Sequence, residues 1–258
     1  MPRNRLRIMI LTPFSRALLA GLFGVLAASV GGRVSAQPSA GFVERSGGAV
    51  ARAGAFSERA GGFTLARLKY TGGGDWYSDE TSLWNLLRTL RARGEIRVGQ
   101  EKEAVVTAAD PDLWNYPMLF LTGHGNVKLS EEETRSLRRY LDQGGFLWAD
   151  DNFGMDKSFR ELMRRVYPES PLVELPFTHP LFHYPNAFPS GAPKIHEHDG
   201  GPARVYAILR NGRVAVLYTF DCDIGNGIED EGIHDDPPAK REAAMRFAVN
   251  VATYAVTN

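Results

Sequence analysis

MLFLTGHGNVKLSEEETRSLRRYLDQGGFLWADDNFG, residues 118–154, decides the fold. Met118-Leu119-Phe120-Leu121 is an apolar run of strand length that ends in Thr122-Gly123-His124-Gly125. Ser130 with Glu133 has the spacing of a capping box, in which each side chain satisfies a backbone N–H left open by the first helical turn. Leu137, Tyr140 and Leu141 recur at helical spacing, and Gly144-Gly145 offers the positive-φ positions that end a helix. Phe146-Leu147-Trp148-Ala149 is a second apolar run, closed by Asp150-Asp151-Asn152. Strand, helix and strand in this order read as a right-handed βαβ unit with parallel, doubly covered strands. Both polar loops leave the carboxyl ends of their strands, where open α/β sheets bind ligands.

Upstream, Phe63 to Tyr70 reads as an opening strand that runs into Gly72-Gly73-Gly74-Asp75-Trp76-Tyr77. Leu83, Leu86, Leu87 and Leu90 then mark one face of a helix, with Ser78 or Asp79 placed to cap it. Ala104 to Thr107 has the character of a short strand, and Asp110-Pro111-Asp112 breaks the chain before the central stretch. Downstream, Phe159, Leu162, Met163 and Val166 define another amphipathic helix, with Asp156 or Ser158 as its cap and Pro168 and Pro171 beyond its end. Residues 176–202 form a proline-rich segment whose aromatics (Phe177, Phe182, Tyr184, Phe188) argue for a packed loop. Arg204 to Phe220 alternates about Asn211-Gly212, the pair that fits a type I′ hairpin. A last helix follows Pro237-Pro238 and runs through Met245, Ala248, Val249 and Ala252.

The first 36 residues hold five arginines and no acid, with an apolar core from Leu18 to Val30 and small residues at Val34-Ser35-Ala36. This is the pattern of a secretory signal cleaved after Ala36, and it predicts a periplasmic or secreted protein. The core of about 13 residues is short of the ~20 that span a bilayer, so membrane contact is expected only through this segment and only if it stays uncleaved. Residues 37–62 are rich in Gly, Ala, Ser and Arg without periodicity and read as a flexible linker, leaving 63–258 as the folded domain. Beyond the signal, 25 basic residues face 30 acidic ones, a balance that excludes the basic face of a nucleic-acid binder. One cysteine, Cys222, allows no internal disulfide, so the fold depends on its core.

Taken together, Tyr70 to Tyr77, Leu121 to Gly125, Gly144 to Asp151, Ser158-Phe159-Arg160 and His179-Pro180-Leu181-Phe182-His183 resemble the domain-of-unknown-function 4159 family over roughly Phe63 to Tyr254. The resemblance implies a class I glutamine amidotransferase-like, flavodoxin-like fold. The expected architecture is therefore α/β: a single doubly wound, mostly parallel sheet with helices on both faces, plus a C-terminal β-hairpin. The resemblance implies no reaction. Where those amidotransferases carry a nucleophilic cysteine, this chain has Asp150-Asp151-Asn152, so thiolate acyl transfer is not expected.

Two functions fit the residues. One is a non-catalytic ligand-binding or assembly module that recognises a small molecule, glycan or protein partner in the cell envelope. Its expected ligand residues are Gly73, Gly74, Asp75, Trp76, Tyr77, Gly123, His124, Asn152, His179 and His183, since glycines admit close approach and aromatics beside a carboxylate suit a sugar. The other is a hydrolase of a carbohydrate or amide, with His124 and Asp150 or Asp151 as catalytic candidates and a metal on Asp151, Asp221 and Asp223. No motif requires a cofactor: there is no P-loop, no H-E-x-x-H and no G-x-S-x-G, and Asp221 to Glu231 fails the calcium-loop pattern at Gly225 and Asn226. Each residue also has a plainer reading. The glycine loop could be a structural turn, Asp150, Asp151 or Asn152 a helix cap, His124 a turn residue, His196-Glu197-His198 a solvated loop and Cys222 a buried apolar group.

Overall fold

The structure, a computed structural model, describes residues 61–198 and 200–258. The signal expected at 1–36 lies outside the described residues, as does the linker expected at 37–62 apart from its last two positions. Gly62 is already packed: a Cβ there would lie 2.6 Å from the Arg97 carbonyl oxygen, which accepts the Phe63 N–H.

Seven strands form one sheet: β1 (Leu65–Leu68), β2 (Ala104–Val106), β3 (Met118–His124), β4 (Phe146–Phe153), β5 (Val173–Glu174), β6 (Arg204–Arg210) and β7 (Arg213–Phe220). Their order is β2-β1-β3-β4-β7-β6-β5. The first five in that order are parallel, while β6 runs antiparallel to β7 and to β5. The fold is thus the expected α/β sheet, mostly parallel, with a hairpin from the C-terminal third. Asn211 and Gly212 both have positive φ (53° and 79°), as a type I′ turn demands.

Successive strand residues face opposite layers. Leu65, Met118, Phe120, Phe146, Trp148 and Leu217 pack under α1 (Ser82–Arg93) and α5 (Pro238–Thr257). Ala66, Leu119, Leu121, Leu147, Ala149 and Tyr218 pack under α2 (Glu131–Asp142) and α3 (Asp156–Val166). α2 starts with the expected capping box, Ser130 Oγ accepting from Glu133 N–H and Glu133 from Ser130 N–H. The expected caps of α1 and α3 are absent: Thr81 and Met155 precede these helices in αR conformation without a side-chain cap. At the end of α2 only Gly144 has positive φ (107°). Gly145 is required for a different reason, because a Cβ there would lie 2.3 Å from the Tyr140 ring.

Leu121 and Phe146 sit in central parallel strands, at 0% and 1% exposure. Truncating either to alanine leaves a cavity that covered strands cannot collapse, at a cost of ~2–5 kcal/mol. Urea unfolding checks this; a loss below ~0.5 kcal/mol would remove these residues from the core.

Candidate functional site

The carboxyl edge of the sheet collects the polar strand ends. In register, Thr122 lies opposite Asp150, Gly123 opposite Asp151 and His124 opposite Phe153. Strand alternation then separates the adjacent aspartates. Asp150 turns into the layer of α1 and α5, where it is fully buried, accepts the Gly225 N–H at 2.6 Å and accepts the Thr219 hydroxyl. Asp151 turns into the layer of α2 and α3, where it accepts the Tyr218 hydroxyl at 2.9 Å and the Met155 N–H at 3.2 Å. Burial raises the pKa of both carboxyls, that of Asp150 strongly. The two do not form an acid–base dyad.

The β1–α1 loop is held from below. Arg67, buried on β1, donates to the carbonyls of Ser78 at 2.6 Å and Asp79 at 2.9 Å. That contact sets Asp79 in a left-handed conformation (φ 57°) with its carboxylate over the sheet. The Asp79 Oδ2 accepts the Thr122 hydroxyl at 2.7 Å and Oδ1 accepts the Asn152 amide at 2.9 Å. Asn152 is therefore a buried partner of Asp79, at 1% exposure. Desolvation raises the Asp79 pKa.

Asp75, in the same loop, grips the end of β3. One oxygen accepts the His124 N–H and the other lies 3.0 Å from His124 Nδ1, while the imidazole is half exposed. The glycines around this contact serve the chain itself. A Cβ on Gly74 would lie 2.8 Å from the His124 carbonyl oxygen, and one on Gly123 (φ 139°) would lie 2.3 Å from the Tyr70 hydroxyl. Gly73 is open, Trp76 lies under the Lys69 ammonium at 5.4 Å, and Tyr77 is exposed.

His179 and His183 are not brought to this edge. The His179 ring lies 5.4 Å from that of Tyr254, whose hydroxyl accepts the N–H of Val214 near the start of β7. That is the amino end of the sheet. Desolvation lowers the His179 pKa, its Nδ1 accepts the Leu181 N–H, and His183 Nε2 contacts the Phe177 carbonyl at 2.8 Å.

Two other histidines take their place. Beyond β7, Asp221 and Asp223 both adopt positive φ (54° and 52°) and direct their carboxylates inward. Asp221 accepts from Lys194 Nζ at 2.8 Å. Asp223 Oδ2 lies 3.0 Å from His196 Nδ1 and 2.5 Å from His198 Nε2. Burial, reinforced by Asp79, Asp151, Asp221 and Asp236, pushes the Asp223 pKa to about 8. Among the described residues, His196, His198 and Asp223 are the set that could hold a metal, with ligand atoms within 4.8 Å of one another. The set expected from sequence, Asp151, Asp221 and Asp223, instead divides among Tyr218, Lys194 and these imidazoles. The available signal was the His-x-His spacing, which places two imidazoles on one side of an extended segment. Next to this cluster a cavity of about 310 Å³ is lined by Asp151, Phe153, Asp156, Lys157, His198 and Phe220.

Asp79 generates a pH prediction. Between the ordinary aspartate value of about 4 and its raised native value, the folded chain holds a proton that the unfolded chain has lost. Its contribution therefore favours folding as pH falls and opposes it as pH rises. Asp79→Asn keeps a closed ring of donors with Thr122 and Asn152 and suits positive φ. In thermal melts it should match or exceed the wild type at pH 8 and lose that advantage toward pH 5; parallel curves would show that Asp79 does not titrate differently in the two states.

No curated protein matches the chain. The family described as a domain of unknown function (DUF4159) matches residues 64–256, from just before β1 to one residue short of the end of α5. The chain belongs to this family.

Proposed function

We propose that the protein is an exported recognition module that binds a small polar, sugar-bearing ligand of the cell envelope and does not turn it over. One observation carries this reading: the cavity at the carboxyl edge offers an aromatic face, a cation and carboxylates together. Phe153 is 55% exposed at its rim, beside Lys157, Asp151 and Asp156. Sugars present apolar C–H faces to aromatic rings and hydroxyls to charged groups, and the cavity has the size of a small-ligand site. The edge carboxylates support binding over chemistry, since Asp150 and Asp151 face opposite layers and each already accepts two hydrogen bonds. Export is supported by the signal pattern of residues 1–36, and the periplasm is where envelope glycans would meet the domain.

A second reading is favoured by Asp75 and His124. A carboxylate on Nδ1 leaves Nε2 exposed as a general base for water, which would make the domain a glycan or amide hydrolase.

Calorimetric titration with soluble peptidoglycan fragments, followed by product analysis, tests both. Saturable binding with no product, weakened about tenfold or more in Phe153→Ala, is the expected result. Product that forms with the wild type and disappears in His124→Ala would establish the hydrolase instead. Binding unchanged by Phe153→Ala would remove the cavity from the account.

A further inference from the structure

We propose that His196, His198 and Asp223 form a binding site for one zinc-like divalent metal ion. The proposal stands on the donor set alone and holds whatever ligand the neighbouring cavity takes.

The loop that carries the imidazoles is fixed. Ile195 is fully buried, donates its N–H to the Cys222 carbonyl at 2.9 Å and accepts from Lys240 Nζ at 2.5 Å. His196 and His198, on either side of exposed Glu197, converge on a single oxygen of Asp223. The Asp223 carboxylate is 0% exposed, and its second oxygen, Oδ1, is buried without a hydrogen-bond partner. Charge left uncompensated on a buried carboxylate costs free energy, which a cation held at its Oδ2 would offset.

His196 is held at both ring nitrogens. Nε2 lies 3.0 Å from Asp236 Oδ2, an acceptor, and Nδ1 lies 3.3 Å from the Asn226 side-chain amide nitrogen, a donor. With a proton on Nε2, facing Asp236, the Nδ1 lone pair is turned toward Asp223 Oδ2 at 3.0 Å. A cation seated between Nδ1 and Oδ2 would be shared by the two donors. A carboxylate on the far nitrogen of a metal-bound imidazole is also the usual outer support of such sites, here supplied by Asp236. The surroundings are acidic, with Asp236 against His196 and Asp221 two residues before Asp223, and Lys194 is engaged by Asp221 and Glu197. Two imidazole nitrogens and a carboxylate oxygen select zinc and its neighbours over magnesium or calcium, which take oxygen donors. Three protein ligands leave a position for water or for a donor atom of a bound molecule, and His198 also lines the cavity.

The test is metal uptake by the untagged, full-length protein after dialysis against a chelator. With zinc alone as the probe, elemental analysis should find about one equivalent per chain, and cobalt should produce visible absorption bands in its place. His198→Ala, at a partly exposed position that leaves the core intact, should lose the bound metal while keeping the wild-type circular dichroism spectrum. Asp236→Asn should retain the stoichiometry and weaken affinity by about 10- to 100-fold. His124→Ala and His183→Ala should bind as the wild type does. Uptake below about half an equivalent by the folded wild type, or wild-type affinity in His198→Ala, would overturn the proposal and leave a proton-shared cluster. Loss of glycan binding with zinc uptake intact would count against the recognition reading alone.

Discussion

Buried carboxylates at the ends of parallel strands are the constraint on which the rest of the edge depends. Asp79, Asp150 and Asp223 are all at or below 5% exposure, and like charges that close in a poorly solvated region cannot all remain bare. The chain answers with donors from every neighbouring element. Thr122 comes from β3, Asn152 from β4, Thr219 from β7 and the Gly225 N–H from α4 (Ile224–Gly227). Gly225 must be glycine, because a Cβ there would lie 2.3 Å from Asp79 Oδ2. Each strand end is thereby tied to a loop from elsewhere, and the rim of the cavity inherits that rigidity.

Arg67 has the complementary part. It faces the apolar layer from β1, yet its guanidinium is satisfied by loop carbonyls and lies 3.6 Å from Glu103. One cation inside the sheet thus sets the height of the β1–α1 loop. Asp75 and Asp79, at two positions of that loop, then bind the β3 end from opposite sides.

The β3–α2–β4 unit was legible in the sequence because its determinants are local: a capping box, helical spacing of Leu137, Tyr140 and Leu141, and two apolar runs. The Asn211-Gly212 hairpin was legible for the same reason. That His124 and the paired aspartates reach one edge also followed, since parallel strands deliver their carboxyl ends together. What escaped depends on contacts between distant segments. His179 and His183 look like ligands in a string of aromatics, but the His179 ring packs beside Tyr254 at the other end of the sheet and His183 is held by the Phe177 carbonyl. The glycines at 74 and 123 resemble a ligand cradle, yet the close neighbours are the protein's own His124 carbonyl and Tyr70 hydroxyl. His196 and His198 look like solvated loop residues until Asp223, beyond the hairpin, is folded against them.

The strand order has a consequence for biogenesis. Leu147 of β4 pairs with Val216 of β7, so the outer flank of β4 stays open until the last quarter of the chain has emerged. Until then the unfinished protein displays an apolar, unpaired strand of the kind that pairs with other chains edge to edge. A chain with this strand order profits from a holdase until β7 docks, and a truncation before Arg213 would leave that flank of β4 open for good.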